Sequence, residues 1–261
     1  MPVAGPLKTT GAVLSGLHGK VLDGMGSAIA DGTLAEGSVL QIEELEERYA
    51  VSRSVVREAV RVLASMGLVA MRRRIGVQIL PKSDWNVFDP QVIRWRLDSS
   101  NRFAQLRSLI ELRSAVEPAA ARLAALRAPQ ERAAEIVALA GELWAAGQDT
   151  DSERFLRLDI EFHRRVLAAS GNEMFAALYP LVEEVLAGRT HHGLMPERPH
   201  EEALEHHMNV AVAIQRSDPD GAHEAMLALM SRTMTEVSER FGAPESLQVD
   251  EPQQPEQAAQ P

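Results

Sequence analysis

Residues 51–80 read VSRSVVREAVRVLASMGLVAMRRRIGVQIL, and this stretch decides how the first third of the chain folds. Ser52 is a residue type that begins helices, and over residues 53–66 the apolar side chains recur on one face of a predicted helix. Three basic residues lie along another face of the same helix: Arg53, Arg57 and Arg61. After Gly67, two short apolar runs flank an arginine-rich turn, a pattern typical of a β hairpin. The stretch therefore predicts an amphipathic helix that presents arginines, followed by a β wing.

Two further helices are predicted upstream, over residues 13–31 and 41–49. Only the three residues from Ala50 to Ser52 separate the second of these from the arginine-bearing helix. Two helices joined by so short a connection are what a helix-turn-helix requires. The sequence therefore predicts a flexible N-terminus at residues 1–14 and, over residues 15–82, a winged helix-turn-helix domain of three helices plus a small β wing.

The basic residues are concentrated in one segment, although the chain of 261 residues has a formal net charge of −10. Residues 51–82 contain seven arginines and lysines but one acid, so this segment carries +6 and the remainder −16. The phosphates of a DNA duplex are a natural counterpart for an isolated basic surface. On charge alone, a solvated basic face without a ligand is an equally good interpretation.

The composition excludes several classes of protein and site. The chain has no cysteine, which excludes a disulfide scaffold, a thiolate metal site and a cysteine nucleophile. Nothing at the start resembles a secretory signal, and no window approaches the run of about 18 apolar residues that a spanning helix needs. We therefore expect a soluble cytoplasmic protein.

The rest of the chain is helical in pattern. Residues 83–100 form a predicted connector, with a hinge followed by a short helix, and residues 101–240 predict an all-α antiparallel helical bundle. The predicted breaks between its helices lie near Pro129, Gly147, Gly171-Asn172, residues 193–200 and Asp218-Pro219. Residues 241–261 have the composition of a disordered tail.

Five polar residues fall on helix faces that should be buried. Arg113 and Glu117 are four residues apart on one predicted helix, Asp159 and His163 are four apart on a second, and His207 lies on a third. Buried charged groups need partners, which a bound metal or simple hydrogen bonds would supply. Each residue alone is better explained as a satisfied core residue, whereas all of them together favour a ligand pocket.

The stretch VSRSVVREAVRVLASMGLV and the wing after it resemble the winged helix-turn-helix of GntR-family transcription regulators. The resemblance implies that Arg53 and Arg57 contact the operator and that Gly76 lies at the wing tip near the minor groove. Many members have an arginine near the start of the second helix, where this chain has Glu43. The full set of expected DNA-contacting residues is Ser52, Arg53, Ser54, Arg57, Arg61, Arg73, Arg74 and Gly76.

The resemblance extends to the helical effector-binding and dimerisation domain of the FadR-type branch, in the subgroup that holds a divalent metal, often zinc. Its aspartate and first two histidines match Asp159, His163 and His207, while its last histidine falls on Leu229. Three ligands would leave an open coordination position for water or for an effector carboxylate. The possible substitutes for the fourth ligand are His191, His192, His206 and His223.

Arg113 matches the arginine that pairs with the effector's carboxylate in this family, and we also expect Glu117 and Asn172 to contact the effector. The phrases SDWNVFDPQVIRW and VEPAAARLAA and the loop at Met195-Pro196 resemble regulators that respond to sugar acids such as gluconate or galactonate. The expected function is therefore that of a homodimeric repressor of sugar-acid catabolism or uptake genes, released from a palindromic operator when the acid binds.

Two other functions remain open on the sequence. Three metal ligands with an open position could activate water in a hydrolase of a sugar acid or lactone, although no separate general base stands out. A helical adaptor could also use the basic segment to bind an acidic protein. We expect a regulator that is not an enzyme.

Overall fold

The computed structural model describes residues 16–149, 151–194 and 199–241. Its N-terminal part contains three helices, α1 (Leu17–Ala30), α2 (Ile42–Tyr49) and α3 (Arg53–Ser65). Three strands form one antiparallel sheet with the order β1-β3-β2: β1 (Val39–Leu40), β2 (Val69–Arg72) and β3 (Gly76–Ile79). The prediction of a winged helix-turn-helix is confirmed.

The helix-turn-helix is held together by the apolar face of α3. Its buried side chains belong to the same core as those of α1, and these residues are Val21, Leu22, Met25, Val56, Ala59, Val60 and Leu63. The turn between α2 and α3 is tight because Ala50 adopts the left-handed conformation with φ 53°. The face of α3 that carries the arginines is therefore left exposed.

Strand β1 was not predicted, and it changes the role of Gly76. A two-residue strand is too short to show an alternating pattern, and it exists because Leu40 pairs with Val77 of β3. Gly76 was expected at the wing tip, but it is the first residue of β3 and has a φ of 126°. A Cβ atom there would lie 2.5 Å from the carbonyl oxygen of Leu40. Gly76 therefore lies one residue past the turn, where a glycine is explained by the close approach of β1, and its expected contact with DNA stays a prediction.

The C-terminal part is a helical bundle, as predicted. Its helices are α4 (Pro90–Asp98), α5 (Arg102–Arg127), α6 (Gln130–Gln148), α7 (Ser152–Ala169), α8 (Glu173–Ala176), α9 (Tyr179–His191), α10 (Glu201–Gln215) and α11 (Pro219–Phe241). The predicted break near Gly147 is confirmed to within one residue, because α6 ends at Gln148. Gly147 is buried against Leu204, and a Cβ atom there would lie 2.8 Å from that side chain.

Residues 1–14, which we expected to be flexible, lie outside the described residues, and so does the expected disordered tail apart from Phe241. Among the helices described here, none is long and apolar enough to cross a membrane.

Helix α4 packs against both parts of the molecule. It begins at Pro90 after Asp89, whose side chain accepts hydrogen bonds from the first turn. Val92 and Trp95 belong to the N-terminal core, and the other face of α4 contributes to the core of the bundle through Ile93. The connector is therefore a packed helix that joins the two cores.

Candidate functional site

The expected DNA-contacting side chains of α3 lie on the protein surface. Ser52, Arg53, Ser54, Arg57 and Arg61 are all exposed, at and after the start of the helix. Arg57 forms no ion pair with any described residue, whereas Arg61 is paired with Glu58. The structure thus brings these five residues to one exposed face, and the guanidinium of Arg57 is available to a duplex.

Arg53 has a partner that the sequence did not reveal. Its Nη1 donates a hydrogen bond to Oε1 of Glu43 on α2, at 2.5 Å. The pKa of the Glu43 carboxyl is lowered below its usual value by hydrogen bonds from the Glu43 backbone N–H and from the Arg53 side chain. Glu43 therefore stays ionised beside an arginine that is expected to contact DNA.

The wing turn also presents arginines. Strand β2 ends at Arg72 and β3 begins at Gly76, so Arg73, Arg74 and Ile75 form the tip, and all three are exposed. Arg74 has a φ of 65°, the left-handed conformation that closes the turn. The tip therefore carries two cationic side chains and one apolar side chain, and it lies outside the sheet.

A buried charge cluster lies inside the bundle, formed by Arg113, Glu117, Asp159, His163 and His207. Helix α5 contributes the first two residues, α7 the next two and α10 the last. None of the five is more than 5% exposed. The i, i+4 spacing on α5 and on α7 places both members of each pair on the same buried face, so the structure brings together all the residues that the sequence singled out.

Glu117 lies between Arg113 and His163. Its Oε1 accepts a hydrogen bond from Arg113 Nε, and its Oε2 is bonded to His163 Nδ1. Burial raises the pKa of Glu117, but the charges of Arg113 and His163 outweigh this and bring its pKa to about 2. Since both carboxylate oxygens are engaged, Glu117 orients two side chains of the cluster, whereas the sequence suggested that it contacts the effector.

Asp159 is bonded to both imidazoles. Its Oδ1 lies 3.0 Å from His207 Nε2 and 3.4 Å from His163 Nε2. Burial raises the pKa of Asp159, but the hydrogen bonds from the two histidines lower it below its usual range. His207 Nδ1 donates a hydrogen bond of 2.7 Å to the Ala203 carbonyl oxygen, which leaves Nε2 as the nitrogen that faces Asp159.

The donor set of the cluster fits a divalent metal. One ligand atom each from Asp159, His163 and His207 lies within 4.8 Å of the others, and carboxylate with imidazole is a ligand set that zinc prefers. The outer ring nitrogens are already held, by Ala203 O for His207 and by Glu117 for His163, as is common behind metal ligands. These three residues would therefore hold the ion.

The four histidines suggested as substitutes for the fourth ligand lie outside the cluster. His192 pairs with Asp98 and His206 lies near Glu202, while neither His191 nor His223 belongs to the cluster. Leu229 lines the cavity beside Asp159 and His207. The structure thus places an apolar side chain where the resemblance expects the fourth ligand.

A cavity of about 30 Å³ adjoins the cluster, room for about two water molecules. Its lining includes Arg113, Asp159, Leu186, Arg189, His207, Leu229, Arg232, Thr233 and Glu236. Two buried nitrogens of this lining, Arg113 Nη1 and Arg189 Nε, have no hydrogen-bond partner in the described part of the chain. Buried cationic donors without partners are rare, and these two would donate hydrogen bonds to an anionic group.

Arg189 was missed by the sequence analysis. It is 3% exposed and donates a hydrogen bond to Glu236, and burial lowers its pKa although the charge of Glu236 opposes this. Its signal was present, since an arginine at 189 follows the apolar Val185 and Leu186 at helical spacing on α9. The same pattern did single out Arg113.

Asn172 does not line this cavity. Its side chain accepts a hydrogen bond from Met174 N and begins the short helix α8. The structure thus gives it a local capping role, and its expected contact with the effector stays a prediction. The loop at Met195-Pro196 lies outside the described residues.

Comparison with known proteins gives two family matches. Residues 19–79 match the model described as bacterial regulatory proteins, gntR family, and residues 108–232 match the FCD domain. The galactonate operon transcriptional repressor of Escherichia coli is 32% identical over 219 residues, which cover 82% of this chain and 94% of that protein. The HTH-type transcriptional regulator YieP of the same species is 30% identical over 205 residues, which cover 77% and 87%.

Solved structures give the same fold. The structure of Lar, which controls the expression of the Listeria monocytogenes agr system, has a TM-score of 0.51 and 16% sequence identity. The match covers 86% of this chain and 98% of that one. At this identity the likeness concerns the fold alone.

Proposed function

This chain belongs to the GntR family of bacterial regulators and has an FCD domain, and from this premise we propose that it is an effector-controlled transcription repressor. Its targets are genes for the catabolism or uptake of sugar acids of the gluconate or galactonate type. The name of the galactonate operon repressor of Escherichia coli supports this ligand class. The acid binds the FCD domain and releases the protein from its operator.

The exposed face of α3 and the wing tip bind the duplex. Arg53, Arg57 and Arg61 reach from one helix, and Arg73 and Arg74 extend from the wing. A planar guanidinium can bind phosphate or the edge of guanine with two hydrogen bonds. The proposed protein is a homodimer, so two copies of this module contact the half-sites of a palindromic operator.

The observation that carries the effector proposal is Arg113 Nη1, a buried guanidinium nitrogen without a partner in the lining of the cavity. A carboxylate of the effector would satisfy this donor. A divalent metal on Asp159, His163 and His207 would add a Lewis-acidic centre for the carboxylate or a neighbouring hydroxyl. His163 Nε2 also lies 3.3 Å from Arg113 Nη2, so the arginine and an ion compete for the same nitrogen.

A hexonate is larger than the cavity, so its binding requires the lining to move. Helix α9 contributes Leu186 and Arg189 to this lining and also carries Glu184, which is paired with Arg94 of α4. One residue further along α4, Trp95 Nε1 donates a hydrogen bond of 3.2 Å to Asp23 of α1. A displacement of α9 is thereby transmitted through α4 to the DNA-binding domain. It favours a spacing of the two DNA-binding domains of the homodimer that does not fit the operator.

The test combines ligand binding with operator release. The purified protein, with and without added zinc, is heated in the presence of galactonate, gluconate, their lactones and the neutral sugar galactose. A ligand that binds only the folded state stabilises it by about 2.7 kcal/mol when its concentration is a hundred times its Kd. We therefore expect a sugar acid to raise the melting temperature of the protein and galactose to leave it unchanged. Fluorescence anisotropy with the promoter fragment upstream of the protein's own gene then measures release by the same acid.

The two halves of the proposal can fail separately. Absence of salt-sensitive binding to any promoter fragment near its gene would contradict the regulator. Binding that no sugar acid reverses would contradict the effector class alone. Zinc-dependent hydrolysis of the lactones would support the hydrolase instead.

A further inference from the structure

We propose that Glu43 is a specificity-determining residue, because its carboxylate positions Arg53 and thereby limits the base pairs that α3 accepts. This inference rests on the proposed function of the N-terminal domain as an operator-binding module. It concerns which sequence is bound and leaves the nature of the effector open.

The two residues meet at the surface that is expected to face DNA. Glu43 is in the first turn of α2 and Arg53 is the first residue of α3. Their side chains are 60% and 57% exposed, yet Arg53 Nη1 and Glu43 Oε1 are 2.5 Å apart. The guanidinium is therefore held in one direction while most of its surface stays open to a ligand.

The stability of the domain does not account for this pair. Exposed ion pairs contribute about 1 kcal/mol or less, and α2 is anchored through its buried residues Ile42 and Leu45. An acidic side chain beside the basic segment also repels phosphates, which weakens binding to DNA in general. A carboxylate that adds little stability and opposes non-specific binding is explained if it improves discrimination between sequences.

The first turn of α2 is rigid enough to fix the carboxylate. The Gln41 backbone N–H donates a hydrogen bond of 3.1 Å to Glu44, and the Gln41 side chain accepts one from the same turn, as a capping box. Gln41 Nε2 in addition donates a hydrogen bond of 2.7 Å to the Ile75 carbonyl oxygen at the wing tip. One turn of helix therefore fixes both Arg53 and the wing.

The chemistry of the pair predicts its preference. Glu43 contacts Nη1 and leaves other N–H groups of the Arg53 fork for the O6 and N7 acceptors of guanine. We therefore expect a guanine under Arg53 and poor tolerance of other bases at that position.

The experiment selects binding sites from a randomised duplex library with three full-length proteins: the wild type, Glu43→Gln and the control Glu47→Gln. Glu47 is also exposed on α2 but forms no ion pair within the described residues, so both variants remove one negative charge. We expect both variants to bind non-specific DNA slightly more tightly than the wild type. With Glu43→Gln, preference for guanine over the other bases at one position of each half-site should fall about fivefold or more, whereas Glu47→Gln should retain it.

A second pair of variants tests whether Glu43 acts through Arg53. Arg53→Lys keeps the charge but loses the fork, so adding Glu43→Gln to it should change the base preference no further. If all variants show the same base preference as the wild type, the inference is overturned while the proposed regulator stands. A further change in base preference when Glu43→Gln is added to Arg53→Lys would overturn it as well. If the wild type selects no motif, the proposed function itself fails. Melting temperatures confirm that each variant is folded.

Discussion

The charges of the buried cluster depend on one another, which determines how single residues can be tested. Glu117 is bonded to Arg113 and to His163, and both pairs are almost completely buried. Removing one partner of a buried ion pair leaves the other charge uncompensated and costs about 3–5 kcal/mol of stability. Substitutions that retain a charge are therefore the sharper test of ligand binding.

Arg113→Lys keeps a cation beside Glu117 but removes the planar fork that would bind a carboxylate. We expect normal operator binding and a requirement for about tenfold more sugar acid to release the operator, since a bidentate contact is lost. Titration of the protein–operator complex with the acid measures this. Arg107→Lys, at a partly exposed pair with Glu111 on the same helix, is the control. Arg113→Ala should respond still less and be less stable, and normal release in both variants would disprove the carboxylate contact.

Leu229→His tests the metal site, because Leu229 lines the cavity beside Asp159 and His207. A fourth imidazole completes a tetrahedral ligand set, so we expect zinc affinity to rise at least about tenfold. Competition with a chromophoric chelator measures the affinity. Leu229→Met, which is similar in volume and offers no imidazole, should bind zinc as the wild type does. Equal affinities for all three proteins would place the ion elsewhere.

Among the secondary structure elements, the wing depends on a backbone contact with β1. Gly76 begins β3 with a φ of 126°, and Leu40 pairs with the next residue, Val77. A side chain at Gly76 would be strained by the backbone conformation and would also meet the Leu40 carbonyl oxygen.

Gly76→Ala should therefore detach β1 from the wing and lower operator affinity about tenfold, with little effect on the melting of the FCD domain. Anisotropy titrations and differential scanning calorimetry measure the two effects. Gly32→Ala is the matched control, because Gly32 has a φ of 81° but open space where a Cβ atom would lie. If both variants lose the same affinity, backbone strain is responsible and the contact with Leu40 is not.

Helix α4 links the cavity to the DNA-binding domain, and its ion pair with α9 can be removed without touching either site. Arg94→Gln breaks the contact with Glu184, which is nearly buried. We expect affinities for the operator alone and for the acid alone to change less than about threefold, while the effect of the acid on operator binding falls about tenfold. Arg107→Gln, on a surface pair of α5, serves as the control. Unchanged coupling in Arg94→Gln would exclude this contact from the transmission.

For the molecule as a whole, charge is distributed unevenly. The segment of residues 51–82 is strongly basic in a chain with a net charge of −10, so the remaining surface is repelled by DNA and the basic face is directed toward it. Binding through phosphate contacts releases counterions from the DNA, and it weakens as the salt concentration rises because that release then gains less entropy.

We therefore expect operator affinity to fall steeply as the salt concentration rises. The combined substitutions Arg73→Gln and Arg74→Gln should reduce the slope of log affinity against log salt concentration by about two. Anisotropy titrations over a range of potassium chloride concentrations provide the slopes. The control variant replaces Arg154 and Arg157, on α7 of the FCD domain, by glutamine, and it should leave the slope unaltered. An unaltered slope in the wing variant would mean that the wing arginines do not contact phosphates.

Local patterns along the chain were enough to predict the class of each long element and the burial of the charge cluster. Helical periodicity is a local property, so α3, α5 and α7 and the buried faces that hold Arg113 and Asp159 could be identified from spacing alone. The charge of the basic segment is likewise independent of the fold. The resemblance to the GntR family added the roles of these residues.

Which of these groups are in contact could not be predicted from local patterns and depends on the packing of the helices and strands. Glu117 contacts His163, which is 46 positions away, and Arg53 contacts Glu43 across the turn between two helices. Strand β1 exists through its pairing with β3, which also explains Gly76. Such contacts depend on how separate helices and strands pack, because the periodicity of one segment says which face is buried but not which side chains of another segment it faces.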